Sequence, residues 1–343
     1  MSERYAPVGW NASKIVYDAV VVAIVGLYIS AFLWIAPSFQ HVTQPLDDYT
    51  ARMNAFGTCA FLLLSLILAI GPAARLDPRF LPLLYNRRHL GVIATAVAST
   101  HAYAALDWYF SYGPYDRFEM LLRGNTSFFQ AHGFPFEVFG IFALLVMFLL
   151  AATSHDFWLR FLTPPVWKGL HMALYAAYLS VVAHISLGAL QASANPLLPV
   201  VVGLCAIGVA LLHVAASRLA AVEAPLVDGW LDAGPVTAID EDHGIVVTPA
   251  GAEPIAVFRH AGALSAVTNL CAHQNGPLGE GRVIDGCVTC PWHGYQYRLE
   301  DGCAPPPFTE KLATFRLRIV DGRVWVDPGP NPPGTFVEPV PVS

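Results

Sequence analysis

Two short cysteine–histidine pairs in the carboxy-terminal third of the chain have the composition of a metal site. They are Cys271-Ala272-His273 and Cys290-Pro291-Trp292-His293, with sixteen residues between them. Together they offer two thiolates and two imidazoles to one centre. A tetrahedral zinc ion accepts this set, and so does a [2Fe-2S] cluster in which one iron takes both cysteines and the other both histidines. Zinc motifs usually group the two cysteines and then the two histidines, so the alternation of ligand types favours the cluster.

The residues around these pairs resemble both ligand boxes of the Rieske ferredoxin family. The first pair is followed by Gln-Asn-Gly-Pro-Leu and the second by Gly-Tyr-Gln-Tyr, and the segment Ala304-Pro305-Pro306-Pro307 resembles the family's proline loop. The resemblance covers about residues 228–328. It implies a small all-β domain that binds [2Fe-2S] through Cys271, His273, Cys290 and His293.

Three further positions bear on the kind of Rieske protein. Respiratory members of the family carry a disulfide between the two cluster loops and a serine just after the second box. The matching residues here are Gly276, Trp292 and Tyr295. The resemblance therefore implies the low-potential type, nearer about −150 mV than +300 mV.

Short β-strands between turns must hold these ligand loops. After Ala221 the long apolar segments give way to Pro, Gly, Asp and brief Val/Ile runs, which predicts an all-β domain over residues 221–343, with its core at 228–328. The predicted strands are Gly244–Thr248, Ile255–Arg259, Leu264–Thr268, Val283–Thr289, Ala313–Val320 and Arg323–Val326.

The rest of the chain has the composition of a membrane domain. Of the 343 residues 55% are hydrophobic and 13% charged, against a usual charged share of roughly 25%, and the mean hydropathy is +0.50. Residues 1–220 carry a net charge of +2 and residues 221–343 one of −8. This division excludes a single soluble globule, a disordered chain and a generic nucleic-acid binder.

Uncharged runs predict six transmembrane helices within residues 1–220. The longest run, residues 169–217, would extend about 73 Å as one helix, more than twice a bilayer core of roughly 30 Å. It must therefore fold back, and Asn195-Pro196 followed by Pro199 marks the break. The predicted helices are 15–36, 53–73, 88–110, 135–154, 166–191 and 197–219.

The distribution of Lys and Arg predicts the orientation of this bundle. With the amino terminus inside, nine of these residues fall in the inner segments and three in the outer loops. Since positive charge is retained on the cytoplasmic side, both termini are predicted to be cytoplasmic, in a multi-pass protein of the cell (inner) membrane.

Histidines within these helices are candidate haem ligands. Ionisable residues inside a bilayer are costly and so suggest function, and neutral imidazole is the usual axial ligand of haem iron. His89 and His101 are twelve residues apart, and His171 and His184 thirteen apart. Both intervals span roughly 18–20 Å, which would allow two layers, but thirteen residues also rotate a side chain by about 140°. Spacing alone therefore leaves one or two haems open.

The surrounding residues resemble the ferric reductase-like transmembrane domain. Arg87-Arg88-His89-Leu90-Gly91 leads to His101, and Trp167-Lys168-Gly169-Leu170-His171 leads to His184. The resemblance covers about residues 15–220 and implies b-type haem held by His101, His184 and His171, with His89 the weakest candidate. The two-haem members have a second histidine about fourteen residues after the first on the third helix, where this chain has Tyr115. The family's flavin and nicotinamide domain has no counterpart, since no G-x-G-x-x-G follows a strand.

Together these features predict a membrane electron-transfer protein, without oxygenase chemistry because no histidine follows the cluster motif to hold a mononuclear iron. Single electrons would pass between the Rieske cluster and haem. The expected partners are a soluble cytoplasmic donor, such as a flavin or ferredoxin reductase, and an acceptor at the outer face or a quinone. Two alternatives are a quinol-linked Rieske oxidoreductase and a redox- or iron-sensing membrane module without haem.

Overall fold

The computed structural model describes residues 12–35, 48–80, 83–84, 86–112, 116–154, 158, 162, 164–192, 196–218, 224–273, 276–291 and 294–342. These residues form a helical unit that ends at Arg218 and a β unit that follows it. The helices of the first unit are α1 Ala12–Ile35, α2 Asp48–Leu76, α3 Arg87–Tyr112, α4 Arg117–Arg123, α5 Glu137–Thr153, α6 Pro164–Leu187, the single turn α7 Ala189–Ala192, and α8 Leu197–Arg218.

Four of the described helices are long and apolar enough to cross a membrane. They are α1, α2, α6 with its extension into α7, and α8. Each predicted helix has a counterpart, but the predicted count of six spans is not confirmed. The α3 helix carries charges, histidines and hydroxyls that lower its hydropathy, and α5 has only 17 residues. The protein is a membrane protein whose helices differ in how apolar they are.

The helices bury one core and turn apolar side chains outward elsewhere. Along α2, Phe61, Leu64 and Leu68 are buried against side chains of α3, α5, α6 and α8. A buried hydrogen bond at 3.0 Å joins Ser65 Oγ of α2 to Tyr178 Oη of α6. Leucines such as Leu145 and Leu204 point outward and are about two-thirds exposed. An outward apolar face of this kind suits contact with lipid.

The second unit is an all-β domain of three small sheets. One has the strand order β1-β2-β11-β10, a second β12-β5-β4-β3 with β9 beside β5, and the third β6-β7-β8. The strands are β1 Leu226–Val227, β2 Trp230–Pro235, β3 Gly244–Val247, β4 Ile255–His260, β5 Ala263–Thr268, β6 Arg282–Ile284, β7 Cys287–Thr289, β8 Gln296–Arg298, β9 Thr314–Phe315, β10 Leu317–Val320, β11 Arg323–Val326 and β12 Val340–Pro341.

Two-residue turns fix the register of four strand pairs. Asp228-Gly229, Ala261-Gly262, Asp285-Gly286 and Asp321-Gly322 each place both residues at positive φ, between +49° and +81°. This conformation is the type I′ turn, whose twist matches that of antiparallel strands. The pair Asp285-Gly286 divides the predicted strand Val283–Thr289 into β6 and β7, which pair antiparallel.

Candidate functional site

The predicted cluster ligands that the structure describes lie in two loops of the β domain. Cys271 and His273 follow β5, and Cys290 lies in the connection from β7 to β8. All three are at most 2% exposed. His293, the fourth predicted ligand, lies outside the described residues. Two cysteine side chains and one imidazole thus lie in the buried core of the domain, on backbone that the sheets hold in place.

Backbone hydrogen bonds shape each loop around its cysteine. The Cys271 amide donates to the Gly276 carbonyl at 2.9 Å, and the Cys290 amide donates to the Tyr295 carbonyl at 2.8 Å. Gly294, at φ +71°, turns the chain after the second pair and donates to the Cys290 carbonyl at 2.9 Å. The buried Asn269 anchors the first loop, since its Oδ1 accepts from the Gly279 amide at 2.7 Å.

Two tyrosines of the second loop contact the first ligand pair. The Tyr297 hydroxyl lies 3.4 Å from Cys271 Sγ and accepts from the His273 amide at 3.2 Å. The ring of Tyr295 stacks on the His273 imidazole with 4.8 Å between centroids and 5° between planes. The Tyr295 hydroxyl donates to the Glu310 carboxylate. Of the two hydroxyls, the one on Tyr297 is therefore directed at a ligand sulfur.

Electrostatics keep the Tyr297 phenol protonated. Burial, and then the neighbouring Cys271, raise the pKa of Tyr297 far above its ordinary value. A phenol that stays protonated can donate its hydrogen to the Cys271 sulfur, since the hydroxyl oxygen already accepts from His273. Hydrogen bonds to the ligand sulfurs are one means by which proteins set the potential of an iron–sulfur centre.

All six cysteines lie among the described residues, and none of them is in a disulfide. Cys287 and Cys303 are partly buried in the β domain. Burial raises the pKa of the Cys287 thiol. Cys271 and Cys290 are the two fully buried cysteines of this domain, and they are the sulfur ligands that the sequence motifs predict.

In the helical unit, His101 of α3 and His184 of α6 face each other. Their ring centroids are 6.2 Å apart with an interplanar angle of 83°. His101 Nδ1 donates to the Met53 carbonyl at 2.8 Å, and His184 Nδ1 donates to the Phe136 carbonyl at 3.0 Å. Since a carbonyl only accepts, each Nδ1 carries the proton and each neutral ring keeps Nε2 as a lone-pair donor. A metal–imidazole bond is about 2.0–2.1 Å long, so the ring separation leaves room for one metal ion.

Glycines on the neighbouring helices give each imidazole its space. A Cβ on Gly57 would lie 2.8 Å from His101 Nδ1, and a Cβ on Gly140 would lie 2.9 Å from His184 Nδ1. Real Cβ atoms essentially never approach that closely. The His101 ring therefore packs directly against the backbone of α2 at Gly57, and the His184 ring against that of α5 at Gly140.

The two half-sites are related by an internal repeat of 83 residues. Met53, Gly57 and His101 recur at this interval as Phe136, Gly140 and His184. The short pattern Phe-Gly-x-x-Ala-x-Leu, at Phe56–Leu62 and Phe139–Leu145, repeats with them. The spacing of the histidines alone did not predict a role for Gly57 and Gly140. This repeated pattern is the sequence signal that could have identified both glycines.

The other predicted haem residues lie elsewhere. His89 is at the start of α3 with its Nδ1 2.8 Å from an Asp18 carboxylate oxygen of α1, which makes it half of a His–Asp pair. His171 is partly buried on α6, thirteen residues before His184. Of the four predicted residues, the structure thus brings His101 and His184 into one facing pair.

Comparisons with known proteins match both halves of the chain. Residues 229–316 match the family model of the Rieske [2Fe-2S] domain, and residues 54–182 match that of the ferric reductase like transmembrane component. The anthranilate 1,2-dioxygenase ferredoxin subunit of Burkholderia cepacia is 41% identical over 103 residues, which cover 29% of this chain and 93% of that protein. The ferredoxin component of the alkene monooxygenase system of Xanthobacter autotrophicus is 31% identical, over 28% of this chain and 82% of that protein.

A third relative shares only a small part of its length. Chlorophyllide a oxygenase of Arabidopsis thaliana is 34% identical over 91 residues, which are 25% of this chain and 17% of that protein. The three curated relatives therefore match at most 29% of this chain.

Proposed function

We propose an electron-transfer function for this chain, which belongs to the Rieske [2Fe-2S] family through its carboxy-terminal domain and carries a ferric reductase-like transmembrane component before it. In this function single electrons pass between a [2Fe-2S] cluster and b-type haem among the helices. The observation that carries the proposal is the facing pair His101 and His184, whose Nε2 atoms are left to bind a metal.

The donor atoms fit both groups. Two buried thiolates and one buried imidazole are the ligand types of a Rieske centre, and His293 would supply the fourth. Two neutral imidazoles oriented by backbone carbonyls fit a haem iron, because the hydrogen bond at Nδ1 fixes both the tautomer and the ring. When bound, the two groups supply reversible one-electron oxidation and reduction. The chain holds their ligands in place, and it buries the three described ligands of the β domain from water.

The relatives support the cluster half of this proposal. Two of them are named as ferredoxin components of oxygenase systems. By analogy the β domain exchanges electrons with a soluble cytoplasmic partner, for which a flavin or ferredoxin reductase is the proposed class. Residues 221–343 carry a net charge of −8, so a partner with a basic docking face would associate faster.

The helical half completes the route across the membrane. We place the protein in the cell membrane with both termini cytoplasmic, because nine of its twelve basic residues in this half fall in the inner segments. The electron would leave toward an acceptor at the outer face or a quinone. Haem and iron quantitation on purified protein, followed by a redox titration of each centre, tests the proposal. Protein that binds iron and no haem would overturn it in favour of a sensing module.

Replacing either glycine behind the histidines should weaken haem binding. In Gly57→Ala and Gly140→Ala the new Cβ would collide with an imidazole ring. Overpacking costs about 1–3 kcal/mol, which is roughly a 5- to 150-fold loss of haem affinity. The measurement is haem content together with the low-spin electron paramagnetic resonance (EPR) spectrum.

The chain offers matched controls on the helices that carry the histidines. Gly91 of α3 and Gly169 of α6 have no atom within 4 Å of an added Cβ. We expect Gly91→Ala and Gly169→Ala to keep the haem spectrum of the wild type. Equal loss of haem in all four variants would mean that glycines in these helices matter in general, and that Gly57 and Gly140 have no special role beside the histidine rings.

Removing the Tyr297 hydroxyl should lower the midpoint potential of the cluster. A hydrogen bond to a ligand sulfur stabilises the electron-rich reduced state, and a difference of about 1 kcal/mol corresponds to roughly 40 mV for one electron. Tyr297→Phe is therefore expected to shift a potentiometric titration, followed by EPR, downward by about that amount. Tyr295→Phe is the control, since its hydroxyl faces Glu310. An unchanged potential in Tyr297→Phe would contradict the assigned bond.

A further inference from the structure

A carboxylate lies buried beside the histidine pair and has no part in binding haem. Glu137 begins α5 and is 5% exposed. Its Oε1 accepts from the Tyr109 hydroxyl of α3 and from Asn125 Nδ2, the latter at 2.5 Å. Its Oε2 is buried and has no hydrogen-bond partner among the described residues. A buried carboxylate oxygen without a donor from the protein is costly, because its charge is not compensated by a protein hydrogen bond.

The backbone links this carboxylate to the proposed haem site. The carbonyl of Phe136 accepts from His184 Nδ1 at 3.0 Å, and the same peptide group contains the Glu137 nitrogen. The hydrogen bonds of Glu137 itself go to Tyr109 and Asn125 and to neither histidine. Glu137 thus follows directly the residue whose carbonyl orients His184, and it bonds neither histidine itself.

The internal repeat shows that the two half-sites differ at the position of Glu137. Position 54 in the first half-site corresponds to position 137 in the second, and it holds Asn54, a neutral amide. Asn54 is partly buried, whereas Glu137 is buried. The second half-site therefore encloses an ionisable acid at the position where the first has a neutral amide.

We propose that Glu137 binds one proton when the histidine pair's centre gains an electron, so that electron transfer is coupled to proton uptake at this end of the bundle. The inference rests on the proposed function. The electron comes from the Rieske domain and the proton from water at the adjacent membrane surface. One O–H bond of a hydronium ion at that surface breaks and one O–H bond forms at Oε2, so that a carboxylate becomes a neutral acid and a water molecule is left. The negative charge that the added electron brings into a low-dielectric interior is thereby compensated.

Among the described side chains at this end of the bundle, the other ionisable groups are paired, exposed or part of the site. Asp107 lies 3.6 Å from Arg117, and Glu119 lies 2.8 Å from Arg123. Tyr103 is 60% exposed. Among the described side chains, the titratable and charged groups that α3, α4, α6 and the segments flanking α4 bring to this region are His101, Tyr103, Asp107, Tyr109, Asp116, Arg117, Glu119, Arg123, His132 and His184, of which Asp116 and His132 are exposed.

A redox titration of the haem as a function of pH tests the coupling. In the wild type the midpoint potential should fall as pH rises, by up to about 59 mV for each tenfold change in proton concentration. Glu137→Gln, which keeps the shape and removes the proton site, should flatten this dependence. Glu119→Gln, an exposed acid paired within α4, should keep the slope of the wild type.

A second measurement does not depend on a variant. Redox-difference infrared spectra of the wild type should show a carboxylic acid C=O band that appears on reduction. A potential independent of pH, a Glu137→Gln variant with the full slope, or the absence of that band would each overturn the inference. Absence of haem would instead defeat the proposed function itself, so the two failures are distinguishable.

Discussion

Protein carrying His101→Ala or His184→Ala should be purified without haem. Each ring offers one Nε2 to the centre, and each is oriented by one backbone carbonyl, so neither histidine can replace the other. We expect the Soret and α bands of low-spin haem to disappear in both variants, with the haem-to-protein ratio falling to near zero. The pyridine haemochrome assay measures that ratio directly.

Other histidines of the bundle provide the controls. His213→Ala removes a ring that bonds Tyr175 and the Val209 carbonyl, and His89→Ala removes the partner of Asp18. Both variants should keep their haem. His171→Ala should keep it as well, with one haem in each wild-type chain. Two haems per wild-type chain, one of which is lost in His171→Ala, would contradict the single pair and assign His171 to a second site. The Rieske signal of the same samples reports whether the chain has folded.

Substitution of a cluster ligand should abolish the Rieske signal and leave the haem spectrum unchanged. Cys271→Ser, Cys290→Ser and His273→Ala each remove a buried ligand atom from the β domain. Because the haem ligands belong to the separate helical unit, the expected result is loss of the EPR signal and of cluster iron with the haem content retained. Iron analysis and EPR spectroscopy on one preparation measure both.

Non-ligand cysteines of the same domain make this experiment specific. Cys287→Ser and Cys303→Ser alter partly buried thiols near the same sheet and should retain the cluster. Simultaneous loss of cluster and haem in Cys271→Ser would argue against two independent centres. Stoichiometric zinc in place of iron in the wild type would restore the zinc alternative for the four ligands.

The sequence was most informative where chemistry depends on residue type. Alternating cysteine and histidine, together with the flanking glycines and tyrosines, predicted the Rieske domain that the family model confirms. The six helical segments were predicted from uncharged runs, and each has a helix. Their number as membrane spans was harder to predict, because a helix such as α3 can bury polar side chains against its neighbours while facing lipid over a narrower surface.

Strand boundaries depended on turns that the apolar pattern concealed. A strand predicted over Val283–Thr289 is interrupted by Asp285-Gly286, whose positive φ values turn the chain back on itself. The predicted strand Ala313–Val320 divides at Arg316 into β9 and β10, which belong to different sheets. The strands β1, β2, β8 and β12 were missed: β1, β8 and β12 have only two or three residues each, and β2 and β12 pair with partners distant in sequence.

The histidine pairing needed information that spacing does not contain. Intervals of twelve and thirteen residues describe each helix alone, whereas the approach of α3 to α6 decides which rings meet. Glu137 was not singled out from the sequence, because a single acid at a helix start reads as an ordinary first-turn residue. Its burial and its unsatisfied oxygen become visible only when Tyr109 and Asn125 are placed around it.

The 83-residue repeat has a consequence for how this chain can vary in length during evolution. One residue inserted within a helix turns everything beyond it by about 100°. Each histidine bonds a carbonyl, of Met53 or Phe136, and packs against a glycine four residues later, Gly57 or Gly140. An insertion within either interval would therefore move the carbonyl away from the face on which the glycine lies. The connections between helices carry no such constraint. Homologous chains should accordingly differ in length at their loops and share the four-residue intervals from Met53 to Gly57 and from Phe136 to Gly140.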